Sequence, residues 1–93
     1  MKNGVYFHIG NDMVINKSEI IGIFDLDKIT VFKVNRNYLS NVEKRGKIIN
    51  ATKDIPKACI LCCGKELSSE RVYLSQLLTS TLRKRHLLNS FEL

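Results

Sequence analysis

Ninety-three residues make one compact domain and no more, and a chain this short buries only about 60–68% of its unfolded surface, so a lone copy sits near the margin of stability. The composition, 44% hydrophobic and 26% charged, is ordinary for a globular protein and excludes disorder and collagen-like repeats. Fifteen Lys and Arg against nine Asp and Glu give a formal charge of +6 with a pI near 9.4. That balance attracts polyanions, nucleic acid first and acidic membrane surface second, or serves solubility alone.

The chain opens with Met1-Lys2-Asn3-Gly4 and no secretion-like apolar stretch, so the expected compartment is the cytoplasm. Val5, Phe7 and Ile9 alternate as one face of a first strand. Gly10-Asn11-Asp12 has the chemistry of a tight turn, and Met13-Val14-Ile15 follows as a second strand. Asn16 to Glu19 interrupts it. Ile20-Ile21-Gly22-Ile23-Phe24 is apolar on both faces and predicts a central, doubly covered third strand. Its Gly22 permits close approach of a backbone or a bulky side chain.

Thr30 is a candidate N-cap. From it, Val31, Phe32, Val34, Tyr38, Leu39 and Val42 fall within an arc of about 160° at helical spacing. Gly46 supplies the left-handed stop. Asn35 lies inside the apolar arc as a discordant polar residue. Ile48 to Ala51 reads as a strand and Thr52 to Pro56 as a loop. Pro56, having no amide hydrogen, belongs at the entrance of the strand Lys57 to Cys63.

Within that strand Ala58 to Cys63 is the longest apolar run, far below the ~18 residues of a membrane span. Its Cys59, Cys62 and Cys63 form an odd set in a chain without a secretion signal, which suits a reducing interior. Residues three apart on a strand point to opposite faces, so Cys59 and Cys62 read as buried small hydrophobes, not as a metal pair. Gly64-Lys65-Glu66 turns the chain and Arg71 to Ser75 is the last strand. A final helix would carry Leu77, Leu78 and Leu82 as its apolar stripe, with Leu74 at the junction.

The densest positive site is Arg83-Lys84-Arg85-His86. On a helix these four spread around the circumference, so core contact is expected to end at Leu82, with the cations projecting beyond the body toward an anionic partner. The bland counterpart is charge complementing the helix dipole, for which one cation would suffice. Lys44, Arg45 and Lys47 straddle the Gly46 stop, and Lys53 and Lys57 flank Asp54 and Pro56. The three tyrosines are scattered and there is no Trp, so base stacking on a single strand is not indicated. No helix-turn-helix pair, zinc finger or Gly-rich phosphate loop is present. His8 is a lone strand histidine, and Ser68 and Ser69 look like backbone-bonding turn residues. The residues therefore point away from an enzyme, with no catalytic set, metal or cofactor expected.

Several segments in order resemble the small bacterial extracellular-matrix regulator family, and within it the RemB branch. They are Phe7-His8-Ile9-Gly10, Ile20 to Asp25, Pro56-Lys57-Ala58, Arg71 to Ser75 and, most strongly, Leu78-Thr79-Ser80-Thr81-Leu82-Arg83-Lys84-Arg85. The similarity runs from about Val5 to His86. It implies a DNA-binding regulator of biofilm-matrix genes, and the sister RemA branch implies a ring-shaped oligomer around which DNA wraps. In the loop where RemA has adjacent arginines, this chain reads Lys53-Asp54-Ile55-Pro56-Lys57, with Lys57 matching the last of them. Glu19 stands where RemA has an arginine.

The sequence thus predicts one α+β domain over residues 1–93 with a basic segment from about Arg83. A mainly antiparallel sheet of five to six strands would carry one amphipathic helix and a short C-terminal helix. The expected function is a cytoplasmic, nucleoid-associated homo-oligomer gripping the double-stranded DNA backbone through Arg83, Lys84, Arg85 and Lys57, supported by Lys53 and Lys47. A second reading, carried by Glu19, Asp54 and Ile55, is an interaction module that partners a homologous DNA-binding regulator. A third is attachment to anionic membrane.

Overall fold

A computed structural model describes residues 6–91. Val5, expected to share a face with Phe7 and Ile9, lies outside the described residues, as does the Phe7 side chain. The chain begins with a two-stranded hairpin, β1 (Tyr6–Gly10) and β2 (Met13–Asn16). Asn11 and Asp12 at its tip both take positive φ, 50° and 60°, the requirement of a two-residue turn whose twist matches the flanking strands.

The main sheet contains β3 (Ile20–Asp25), β4 (Ile48–Asn50), β5 (Ala58–Cys62) and β6 (Arg71–Ser75), in the order β3-β5-β6-β4. All its pairs are antiparallel except β4 with β6. Helices α1 (Leu26–Ile29), α2 (Lys33–Lys44) and α3 (Thr79–Phe91) complete an α+β architecture.

Alternation along β5 sorts the core into two halves. Ala58, Ile60 and Cys62 pack with Ile9 and Ile15 of the hairpin and Leu82 of α3. Cys59 packs on the other face with Val42 of α2 and Val72. The two cysteines thus lie in different halves of the core, as period-two geometry demands. Burial pushes both thiols up from 9.0 to about 11.

The third strand is not central. β3 is an edge, and β5, with Ala58, Ile60 and Cys62 fully buried, holds the middle. A two-faced apolar strand reports layers above and below its sheet, and says nothing about partners on either side within it. β3 also carries a bulge between Ile20 and Gly22. The extra residue reverses the alternation, so Ile20 and Ile23, three apart, both join the hairpin-side core. Gly22 admits the Phe24 ring, which would lie 2.5 Å from a Cβ placed there.

The long helix starts later than its apolar spacing predicts. Asp25 accepts from the amides of Asp27 (2.9 Å) and Lys28 (3.3 Å) and so caps the separate turn α1. Thr30 closes that turn, its hydroxyl donating to the Leu26 carbonyl at 2.6 Å, so it is not an N-cap. Val31, Phe32 and Val34 consequently lie outside the buried arc and are 70%, 61% and 72% exposed. Asn35, the discordant residue, donates to the Ile29 carbonyl at 2.9 Å, and Arg36 donates to those of Thr30 and Val31. Both satisfy acceptors that a short helix leaves open at its C-terminus.

α2 ends as expected, with Gly46 at φ 71°. Gly46 N donates to Glu43 O and Lys47 N to Val42 O, a full Schellman closure. At α3, Leu82 is fully buried but Leu78 is 56% exposed. Leu74 packs on the opposite, α2 side of the sheet. The predicted Leu77-Leu78-Leu82 stripe therefore reduces to Leu82 with Leu77 packed beside it.

Candidate nucleic-acid interface

Strand register fixes where the cations can meet. Ile20 lies opposite Cys62, and Cys62 opposite Arg71, at one end of the sheet; Asp25, Ala58 and Ser75 align at the other. Four residue steps, roughly 13 Å, separate the two ends along β5.

Lys47 falls at the first end, immediately before β4. Its ammonium donates to the Ser68 carbonyl, and it shares a shallow cleft with Glu19, Glu70 and Arg71. Two ion pairs lie here, Arg45 with Glu70 at 3.6 Å and Arg71 with Glu19. Tyr38 donates to Glu70; burial, reinforced by that carboxylate, pushes the phenol from 10.0 to about 12. Ser69 accepts from Gly64 N at 2.6 Å and donates to Glu66 O at 2.5 Å, the backbone-bonding role expected of it. This end holds Lys47 apart from the other predicted residues.

Lys53 and Lys57 stand on the loop entering β5, at the second end. Thr52, nearly buried, braces that loop. Its hydroxyl accepts from Asp54 N at 2.9 Å and donates to Gln76 Oε1 at 2.6 Å, while its amide donates to Asn50 Oδ1 at 3.0 Å. Lys57 N donates to Ser75 O at 2.8 Å, and Lys57 O accepts from Leu26 N at 3.0 Å. The backbone of Lys57 is thus pinned on both sides while its side chain is exposed. Nothing in the sequence marks Thr52 as the brace, because its partner Gln76 is 24 residues away.

Arg83 and Arg85 do not project beyond the body as the sequence suggests. Arg83 Nη2 donates to the Ile23 carbonyl at 3.2 Å and Arg85 Nη1 to the His8 carbonyl at 3.1 Å. The guanidiniums reach back because Leu82 seats α3 between β3 and the hairpin, within range of both strands. Arg83, Lys84 and Arg85 nevertheless remain exposed. The His86 side chain lies outside the described residues.

Cations paired with carboxylates occupy one end of the sheet. Lys53, Lys57, Arg83, Lys84 and Arg85 pair with no carboxylate among the described residues, and neither do the exposed Lys28, Lys33, Arg36, Lys44 and Lys65. Among those residues there is also no His/Cys/Asp/Glu group able to hold a metal ion, and no helix long and apolar enough to cross a membrane.

Residues 6–86 match the family model described as extracellular matrix regulatory protein A-like, or RemA-like. The chain belongs to the RemA-like family. It is also 28% identical over 81 residues to extracellular matrix regulatory protein B of Bacillus subtilis (strain 168), covering 87% of this chain and 89% of that protein. The RemA-like match spans every strand of the fold together with the Arg83-Lys84-Arg85 run.

Proposed function

We propose that this protein is an oligomeric, DNA-associated regulator of extracellular-matrix genes that acts in the cytoplasm on the nucleoid. It grips the phosphate backbone of double-stranded DNA through Lys53, Lys57, Arg83, Lys84 and Arg85. The run of three consecutive exposed cations on α3, with two more on the loop entering β5, carries this reading. Lys47, predicted as a supporting contact, has its ammonium on the Ser68 carbonyl at the far end of the sheet and is left out of the proposed grip.

Each subunit offers few cations, so useful affinity comes from repetition around a ring. Exposed Val31, Phe32 and Val34 beside an apolar groove of about 220 Å³ lined by Phe24, Tyr38, Leu39 and Leu61 supply a surface for assembly. The same surface favours the second reading, in which this chain docks on a homologous regulator and touches DNA little.

Duplex binding over a salt titration tests the choice. Log affinity should fall with log salt by about 0.9 per phosphate contacted. Replacing Arg83, Lys84 and Arg85 together by Ser should flatten that slope while the assembly state, read by sedimentation, stays unchanged. A triple variant that binds as the parent does would reject the DNA reading and leave the docking one.

A further inference from the structure

We propose that Arg83 and Arg85 act as two fixed phosphate forks, preset by main-chain carbonyls, and not as interchangeable positive charges. The proposal rests on the duplex-binding reading above and specifies how its strongest cluster works.

The geometry begins with the edge of the sheet. Leu26 N bonds Lys57 O, so in the antiparallel ladder of β3 and β5 the residues that face β5 alternate back from Leu26 to Phe24 and Gly22. Ile23 then directs its N–H and C=O off the open edge. Arg83 fills that carbonyl at 3.2 Å. Arg85 fills the His8 carbonyl at 3.1 Å on the hairpin. The two residues are two positions apart on α3, about 200° around its axis, so each guanidinium leans to a different flank of the helix. Lys84 stands between them with its side chain exposed.

Each guanidinium carries five N–H donors in a rigid plane, and each commits a single nitrogen to a carbonyl. The remaining donors stay exposed with their plane already oriented. A planar fork matches two oxygens of one phosphate, whereas an ammonium acts only as a point charge. Fixing the side chain beforehand removes most of the rotamer entropy that an arginine otherwise loses on binding. Carbonyl contact is compatible with this role, since it leaves the guanidinium charge unneutralised.

The test is charge-conserving. Full-length protein is titrated onto a mixed-sequence 40-base-pair duplex at several salt concentrations, with fluorescence anisotropy as the readout. R83K/R85K is expected to weaken binding at least tenfold while leaving the salt slope near the parent value; K84R should bind as the parent. Far-UV circular dichroism and thermal melting establish that both variants fold. In parallel, the arginine side-chain Nε signals of the parent are followed by NMR; those of Arg83 and Arg85, assigned by their loss in R83K/R85K, should be slowly rotating before DNA is added and shift on its addition. R83K/R85K binding as tightly as the parent, or arginine signals averaged and unmoved by duplex, would overturn the fork assignment and leave DNA binding intact. A parent that fails to bind duplex at low salt would overturn the functional reading itself, and the forks with it.

Discussion

Arg71 and Glu19, 52 residues apart in the chain, form an ion pair across the central strand, because β3 and β6 flank β5 with Ile20, Cys62 and Arg71 in register. The guanidinium also donates to Tyr73 Oη at 3.1 Å and Ser69 O at 3.3 Å. Glu19 is thus the counter-ion of a half-buried arginine. Glu19→Gln should cost about 1–3 kcal/mol in chemical denaturation, since it leaves a partly desolvated charge short of its acceptor. Duplex affinity should not fall, because the pair sits at the sheet end remote from Lys57. A variant as stable as the parent would show the pair to be a surface ornament.

Gly22 and Phe24 share the α2-side face of β3, with the ring lying where a Cβ would be. Gly22→Ala should force the half-exposed ring aside and destabilise by roughly 1–3 kcal/mol. In a Phe24→Ala background the same substitution should be nearly neutral. The double-mutant cycle therefore predicts a coupling above the ~0.5 kcal/mol expected of independent sites. Additive effects would mean that backbone freedom at Gly22, and not the ring, is what matters.

Local chemistry made much of this fold legible. The Gly10-Asn11-Asp12 turn, the Gly46 helix stop and the alternation of β5 and β6 each depend on neighbours in sequence, and each appears where it is expected. The misplacements share one cause, dependence on distant partners. β3 became an edge because nothing in Ile20 to Phe24 encodes which strands flank it. The long helix lost its first turn to Asp25, whose cap competes with Thr30. The candidate site was legible as a list of cations and not as an arrangement. Whether Lys47 or Lys57 faces outward is settled by Ser68 in one case and by Leu26 and Ser75 in the other. The arginines of α3 were expected to point away because the carbonyls they reach, at His8 and Ile23, lie 60 or more residues earlier.

Alkaline conditions should unfold the protein early. Cys59 and Cys62 titrate at about 11 in the folded state against 9.0 in the ordinary thiol, and Tyr38 at about 12 against 10.0. For groups whose folded values are raised, the stabilisation is complete below the unfolded value and disappears as pH rises through the folded one. Stability measured by denaturant should therefore decline from about pH 9 onward. Tyr38→Phe should remove only the phenol's share of that decline, between about pH 10 and 12, and leave the thiols' share, which ends near pH 11. At neutral pH the two buried thiols should resist alkylation while the less buried Cys63 reacts. Equal labelling of all three would contradict the packing of β5.

Leu82 separates the scaffold role of α3 from its charge. The side chain is fully buried against the hairpin-side core, and a Leu→Ala truncation at such a site costs about 2–5 kcal/mol. Part of that loss should appear as local undocking of α3, visible as faster amide exchange across residues 79–85 than across β5. No charge is removed by Leu82→Ala, so a purely electrostatic tail would bind duplex DNA with undiminished affinity. If instead the arginines work from fixed positions on the Ile23 and His8 carbonyls, affinity should fall with the docking of the helix. Added sucrose, an uncharged osmolyte that strengthens the folded state, would allow the comparison on folded protein at unchanged ionic strength. A Leu82→Ala protein that is folded, exchanges quickly in α3 and still binds as the parent would place the function in charge alone.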